Sequence, residues 1–168
     1  EKFQLRSPAE ISGDIDAAKA ISESIRSLEK RLAGIEWAAR LLDPYTLYRK
    51  KFHELAQNEM RNYQCIVSVF NWLSSGGATV FLQDADTPIM RTEALLHVLR
   101  YLKQAFTSVE QITSYARSKT LAQKKFEELR QLREAGLSRL YVGLESGDDE
   151  VLKRVCKGVT ARDHILAG

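Results

Sequence analysis

"GGATVFLQDADT", residues 76–87, is where the periodicity of the chain changes. Thr79-Val80-Phe81-Leu82 is too short for a helix and apolar on both sides, as a strand of a buried parallel sheet is. Two carboxylates, Asp84 and Asp86, follow where that strand stops. Downstream, Thr92 is placed to cap a helix with Leu95, Leu96, Leu99, Leu102 and Phe106 on its inner face. A second strand is predicted over 111–115, a helix over 120–135 ending at Gly136, and a third strand over Leu140-Tyr141-Val142-Gly143-Leu144. The strands begin near 79, 111 and 138, roughly thirty residues apart with a helix between each pair, which predicts an α/β fold with a parallel sheet and right-handed crossovers.

An open doubly wound sheet and a closed or partial (β/α) barrel both fit this pattern. Both bind ligands at the carboxyl ends of their strands. The residues to read are therefore Gln83-Asp84-Ala85-Asp86, Ala116-Arg117-Ser118 and Glu145-Ser146-Gly147.

Upstream of residue 76 the chain reads as helix. Ser7-Pro8-Ala9-Glu10 combines a cap serine, a proline at the first helical position and a glutamate able to return the capping bond. Ile11, Ile15, Ala18, Ile25, Leu28, Leu32 and Ile35 then line one face of a helix running to about Ala33. Asp43-Pro44 repeats the signal, and Leu47, Phe52, Leu55, Tyr63, Ile66, Phe70 and Leu73 predict a second long helix. Ser74-Ser75-Gly76-Gly77 ends it. The expected organisation is one incomplete domain over 1–168, with a helical part at 1–75 and a βαβαβα core at 78–168.

Composition bounds the function. The 168 residues are 44% apolar and 28% charged, with a net charge of +3, so charge alone gives no footprint for nucleic acid. No apolar run reaches membrane-spanning length and no secretory leader is visible. Two cysteines, Cys65 and Cys156, stand far apart, which fits a reducing compartment and gives a cytoplasmic expectation. Neither has the surroundings of a catalytic nucleophile, and His53, His97 and His164 share no metal-ligand spacing.

On residue types alone, the strand ends gather Asp84, Asp86, Arg117, Glu145 and Ser146 on one rim. Such a set suits a hard divalent cation, or a ligand carrying an ammonium group and ribose hydroxyls. Asp84 and Asp86 are equally well read as turn formers capping local amides. Neither standard Gly-rich phosphate loop is present.

"GLSRLYVGLESGDDEVLKRVCKGVT" at 136–160, with "VFLQDADTPIM" at 80–90 and "ITSYARSKT" at 112–120, resembles the radical S-adenosylmethionine superfamily. The likeness is to the branch with coproporphyrinogen dehydrogenase-like and methylthiotransferase-like members, and it covers about half the chain. The resemblance implies a partial (β/α) TIM-type barrel, with this segment supplying the second to fourth strands after two long helices. It implies an enzyme that cleaves S-adenosylmethionine reductively at a 4Fe-4S cluster to a 5′-deoxyadenosyl radical, fed by an electron donor such as flavodoxin or ferredoxin. It implies that Gln83, Asp84 and Asp86 receive the methionine amino group, Glu145 and Ser146 the ribose, and Lys157, with Arg117 as second partner, the methionine carboxylate.

Departures accompany the likeness. The Cys-x-x-x-Cys-x-x-Cys loop that ligates the cluster is missing, so no metal ligand is assigned and the cluster's thiolates are expected upstream of Glu1. Gln83-Asp84-Ala85-Asp86 replaces the usual Gly-Gly-Glu, and the helical part is longer than the family needs. A metal-dependent (β/α) hydrolase or lyase using Asp84, Asp86 and Glu145, or a non-catalytic barrel fragment, are the competing expectations.

Overall fold

The computed structural model describes residues 5–33, 44–58, 62–83 and 86–168. The chain divides into two compact units, a helical one over Gly13–Gly77 and an α/β one over Glu1–Ser12 with Ala78–Gly168.

Helix α1, Pro8–Ala33, starts as its sequence predicts. Ser7 Oγ accepts from Glu10 N at 3.3 Å, and Glu10 Oε2 accepts in return from Ser7 N at 2.7 Å. The single long helix expected after Pro44 is two, α2 over Pro44–Asn58 and α3 over Tyr63–Ser74. The reason is Asn62, which stands in extended backbone at φ −69°, ψ 123°, its side chain accepting from Gln64 N at 2.8 Å. An asparagine carboxamide satisfies an orphan amide only at a helix start, so Asn62 begins a helix where the apolar spacing alone reads straight through. The core of this unit joins Ile21, Ile25, Leu28, Phe52 and Ile66, with Phe52 and Phe70 in edge contact at 4.9 Å. Gly76, at φ 96°, donates to Leu73 O and Gly77 donates to Trp72 O, the paired bonds of a Schellman terminus.

The described strands of the α/β unit form one open, parallel sheet in the order β1, β2, β3, over Thr79–Leu82, Gln111–Ala116 and Leu137–Val142. Between them run a 3-10 turn at Thr87–Ile89, α4 over Thr92–Ala105, α5 over Ser118–Gln123 and α6 over Phe126–Glu134; α7, Asp149–Arg154, and α8, Ala161–Ala167, follow. The α/β expectation therefore holds, and the sheet is not closed.

Three local expectations need correction. Residues 120–135 hold two helices, because Lys124 and Lys125 are extended between α5 and α6. The third strand ends at Val142, so Gly143 and Leu144 belong to the turn beyond it. Thr92 is the first helical residue and Arg91 takes the cap position; the Thr92 hydroxyl instead donates to Glu128 Oε1 at 2.5 Å.

The two faces of the sheet differ. Ile112, Ser114 and Ala116 are buried, as are Leu95, Leu99 and Leu102 of α4 and Leu132 of α6. α4 packs on α6, α6 on β3, and α5 on α8. Of the residues that alternate with these, Thr113 is buried, whereas Phe81 is 37% exposed, Tyr115 52% and Tyr141 42%. Their rings touch, Phe81 and Tyr115 edge to face at 4.9 Å, and Tyr115 and Tyr141 likewise at 6.2 Å.

Candidate functional site at the strand ends

The end of β1 is a packed corner. Gln83 is exposed, and Asp84 lies outside the described residues. Asp86 is 7% exposed and has both oxygens engaged: Oδ1 accepts from Arg117 N at 3.0 Å, Oδ2 from Thr120 Oγ1 at 2.5 Å. Its carboxylate fastens the loop after β1 to the start of α5. Beside it the Thr87 and Ser114 hydroxyls share a hydrogen bond, and Ser114 Oγ also donates to Leu82 O at 3.1 Å. Asp86 caps no local amide, contrary to the turn-former expectation; the groups it serves are thirty-odd residues away in sequence.

The end of β3 is differently built. Glu145 has φ 55°, and Ser146 N donates to Leu144 O at 2.7 Å, so Glu145 sits at the centre of a γ-turn with positive φ. That backbone is sparsely populated by non-glycine residues and persists only where its surroundings hold it. Ser146 Oγ accepts from Asp148 N at 3.0 Å, and Asp148 Oδ1 in turn accepts from Glu150 N and Val151 N to cap α7. Ser146 is thereby a turn residue.

α7 ends in a second Schellman motif. Cys156 occupies the left-handed position at φ 52°, donating to Lys153 O at 3.1 Å, and Lys157 donates to Leu152 O at 3.0 Å. This returns Lys157 to the strand end, where its Nζ donates to Glu145 Oε1 at 2.7 Å. A side chain at Gly143 would put its Cβ 3.0 Å from Lys157 Nζ and 3.1 Å from Glu145 Oε2, so glycine there makes room for the pair. Glu145 Oε2 has no hydrogen-bond partner among the described residues.

Arg117 is fixed by its amide to Asp86 and lines another cleft, of about 370 Å³, walled also by Asp86, Lys119, Thr120, Lys124 and Val159. Glu145, Ser146 and Lys157 do not line that cleft. The strand ends thus bring Glu145 and Lys157 into contact, tie Asp86 to the backbone of Arg117, and leave Gln83 exposed.

Other polar groups nearby act as joints. Thr92 and Lys125 N both bond Glu128, and these bonds, the Thr92 hydroxyl first, hold its carboxyl below the ordinary glutamate value of 4.5. Ser118 is buried and shares a 2.6 Å hydrogen bond with His164 Nδ1, which joins α5 to α8. Asp163 is lowered by the Thr160 amide and hydroxyl at the start of α8.

Reading by residue type misses Thr120 and the aromatic trio. Phe81, Tyr115 and Tyr141 are each the penultimate residue of a strand, a shared position that the strand bounds expected from sequence, 111–115 and 140–144, conceal. Among the described residues no three His, Cys, Asp or Glu side chains are grouped as metal ligands, and no helix is long and apolar enough to cross a membrane. Compared with known proteins, the chain matches no family model, no curated protein and no solved structure.

Proposed function

We propose that this chain is the S-adenosylmethionine-holding part of a radical S-adenosylmethionine enzyme, its sheet a portion of a (β/α) barrel wall with Phe81, Tyr115 and Tyr141 turned inward. The observation that carries the reading is the Glu145–Lys157 pair, seated over Gly143 at the carboxyl end of a parallel strand by a γ-turn and a helix terminus.

The pair suits the ligand's chemistry. Glu145 Oε2 is an acceptor for a ribose hydroxyl while Oε1 keeps Lys157 in place. An ammonium has three donors, and Lys157 uses one on Glu145, which leaves two for a carboxylate. Gln83, exposed at the end of β1, offers its carboxamide oxygen to the amino group, and Asp84 completes that set in this reading. Asp86 supports the loop that carries them. Arg117 is given no part in this reading, since it lines the neighbouring cleft, which Glu145 and Lys157 do not.

An iron–sulfur cluster, were one supplied from outside the described residues, would provide the one-electron chemistry, and the residues named here would serve only to hold S-adenosylmethionine. The described residues do not themselves fit such a cluster: Cys65 and Cys156 are exposed free thiols in different units, and no three ligands are grouped. Calorimetric titration of S-adenosylmethionine into the chain tests the reading. Saturable binding weakened by about 1–3 kcal/mol in Glu145→Ala is expected, the range for a hydrogen bond to a charged group. Absence of saturation at millimolar ligand, or unchanged affinity in the variant, would remove the site.

A further inference from the structure

We propose that the cleft beside the ends of β1 and β2 is an oxyanion site, for the phosphate or carboxylate group of a small molecule distinct from S-adenosylmethionine. This goes beyond the preceding reading and does not rest on it.

Positive charge is in excess in this cleft, although Lys124 acts on Glu128 through space. Three cations line it, Arg117, Lys119 and Lys124, with two carboxylates, Asp86 and Glu128. All four carboxylate oxygens already accept hydrogen bonds from other groups. Asp86 serves Arg117 N and Thr120 Oγ1; Glu128 serves Thr92 Oγ1 and Lys125 N. None of the three cations is ion-paired to them. Lys124 Nζ reaches only neutral oxygens, Met90 O at 3.2 Å and Thr92 Oγ1 at 3.1 Å. The Arg117 guanidinium and Lys119 ammonium make no hydrogen bond or ion pair among the described residues. Asp163, the carboxylate that feels Lys119, is committed to the Thr160 amide and hydroxyl.

The backbone that carries two of these cations is held in place. Asp86 grips the chain at Arg117 and at Thr120, so the intervening Lys119 is carried on a backbone pinned at both ends. A guanidinium fork and ammonium groups lining one cleft match the planar or tetrahedral oxygens of a carboxylate or phosphate. The volume, about 370 Å³, is within the range of small-molecule sites.

The test is a nitrogen-15 NMR titration of the chain with inorganic phosphate and, separately, with succinate, at constant ionic strength. Saturable shifts centred on residues 117–124 and Gly158 are expected. In the double variant Arg117→Gln/Lys119→Gln the Kd should rise about tenfold or more, the effect of losing charge-assisted hydrogen bonds. The variant Lys19→Gln/Lys50→Gln removes the same charge from the helical unit and should leave Kd unchanged. Saturation by one probe alone supports the site and identifies which group it takes. No saturation by either, or an equal loss in the Lys19→Gln/Lys50→Gln control, overturns the proposal. Displacement of the bound anion by S-adenosylmethionine overturns it too, since the cleft would then be part of the cofactor site, whereas a chain that binds no S-adenosylmethionine leaves it standing.

Discussion

Replacing Asp86 by alanine removes the buried carboxylate that joins the β1 loop to α5. Two hydrogen bonds to a charged acceptor are lost, each worth about 1.5–3 kcal/mol net. The Thr120 half contributes less, because that hydroxyl is only half-buried and rehydrates, whereas the Arg117 amide loses its acceptor where α5 begins. The expected destabilisation is about 2–4 kcal/mol. Asp86→Asn should cost about 1 kcal/mol, since a carboxamide oxygen still accepts from Arg117 N and its amino group turns to the Thr120 hydroxyl. Urea unfolding followed by circular dichroism gives the global value. Hydrogen exchange of the α5 amides gives the local one, and it is needed because circular dichroism sums the helices of both units. Asp86→Ala/Thr120→Val completes a double-mutant cycle with an expected coupling of about 1 kcal/mol. A loss below about 0.5 kcal/mol in Asp86→Ala, with α5 exchange unchanged, would refute the assignment of Asp86 as a joint.

Gly143→Ala drives a methyl group against Lys157 Nζ and the Glu145 oxygens; stability should change by less than about 1 kcal/mol, because the pair is 27% and 47% exposed, while S-adenosylmethionine affinity drops about tenfold by calorimetry. Glu128 has its carboxyl lowered from 4.5, so its contribution to stability is complete above that value and disappears as pH falls through the lower folded one; Glu128→Gln should flatten a denaturation-midpoint profile in this acid range. Phe81→Ser with Tyr115→Ser should cut fluorescence from a bound naphthalene sulfonate dye at a cost of about 1 kcal/mol, whereas Leu99→Ala, at a fully buried position, should cost about 2–5 kcal/mol by urea unfolding. Cys156→Gly relieves a left-handed position and should raise stability by about 0.5–1 kcal/mol, with urea midpoints as the check.

What is legible in the sequence is what depends on neighbours along the chain. The Ser7–Glu10 box, the Gly76-Gly77 terminus and the apolar run of β1 are local, and each sits where residue type places it. Asn62 is hidden because Tyr63, Ile66, Phe70 and Leu73 continue the apolar spacing and mask a cap. The β3 boundary is blurred because Gly143-Leu144 prolongs an apolar run whose last ladder partner is Val142. At the site, Glu145 and Lys157 are legible as residue types, yet their contact depends on Cys156 taking a left-handed turn for which a reader looks to glycine, and the nearest glycine is Gly158. Asp86 is legible only as a polar turn residue, since its partners Arg117 and Thr120 stand more than thirty positions further along the chain.

Within the α/β unit, β2 is hydrogen bonded along both flanks, to β1 and to β3, whereas each outer strand is bonded to β2 alone among the described strands. Either outer strand can detach with the middle one still paired, so the amides of residues 112–116 are the last to exchange with solvent. The aromatic trio, which has one ring on each strand, comes apart at the first of these openings.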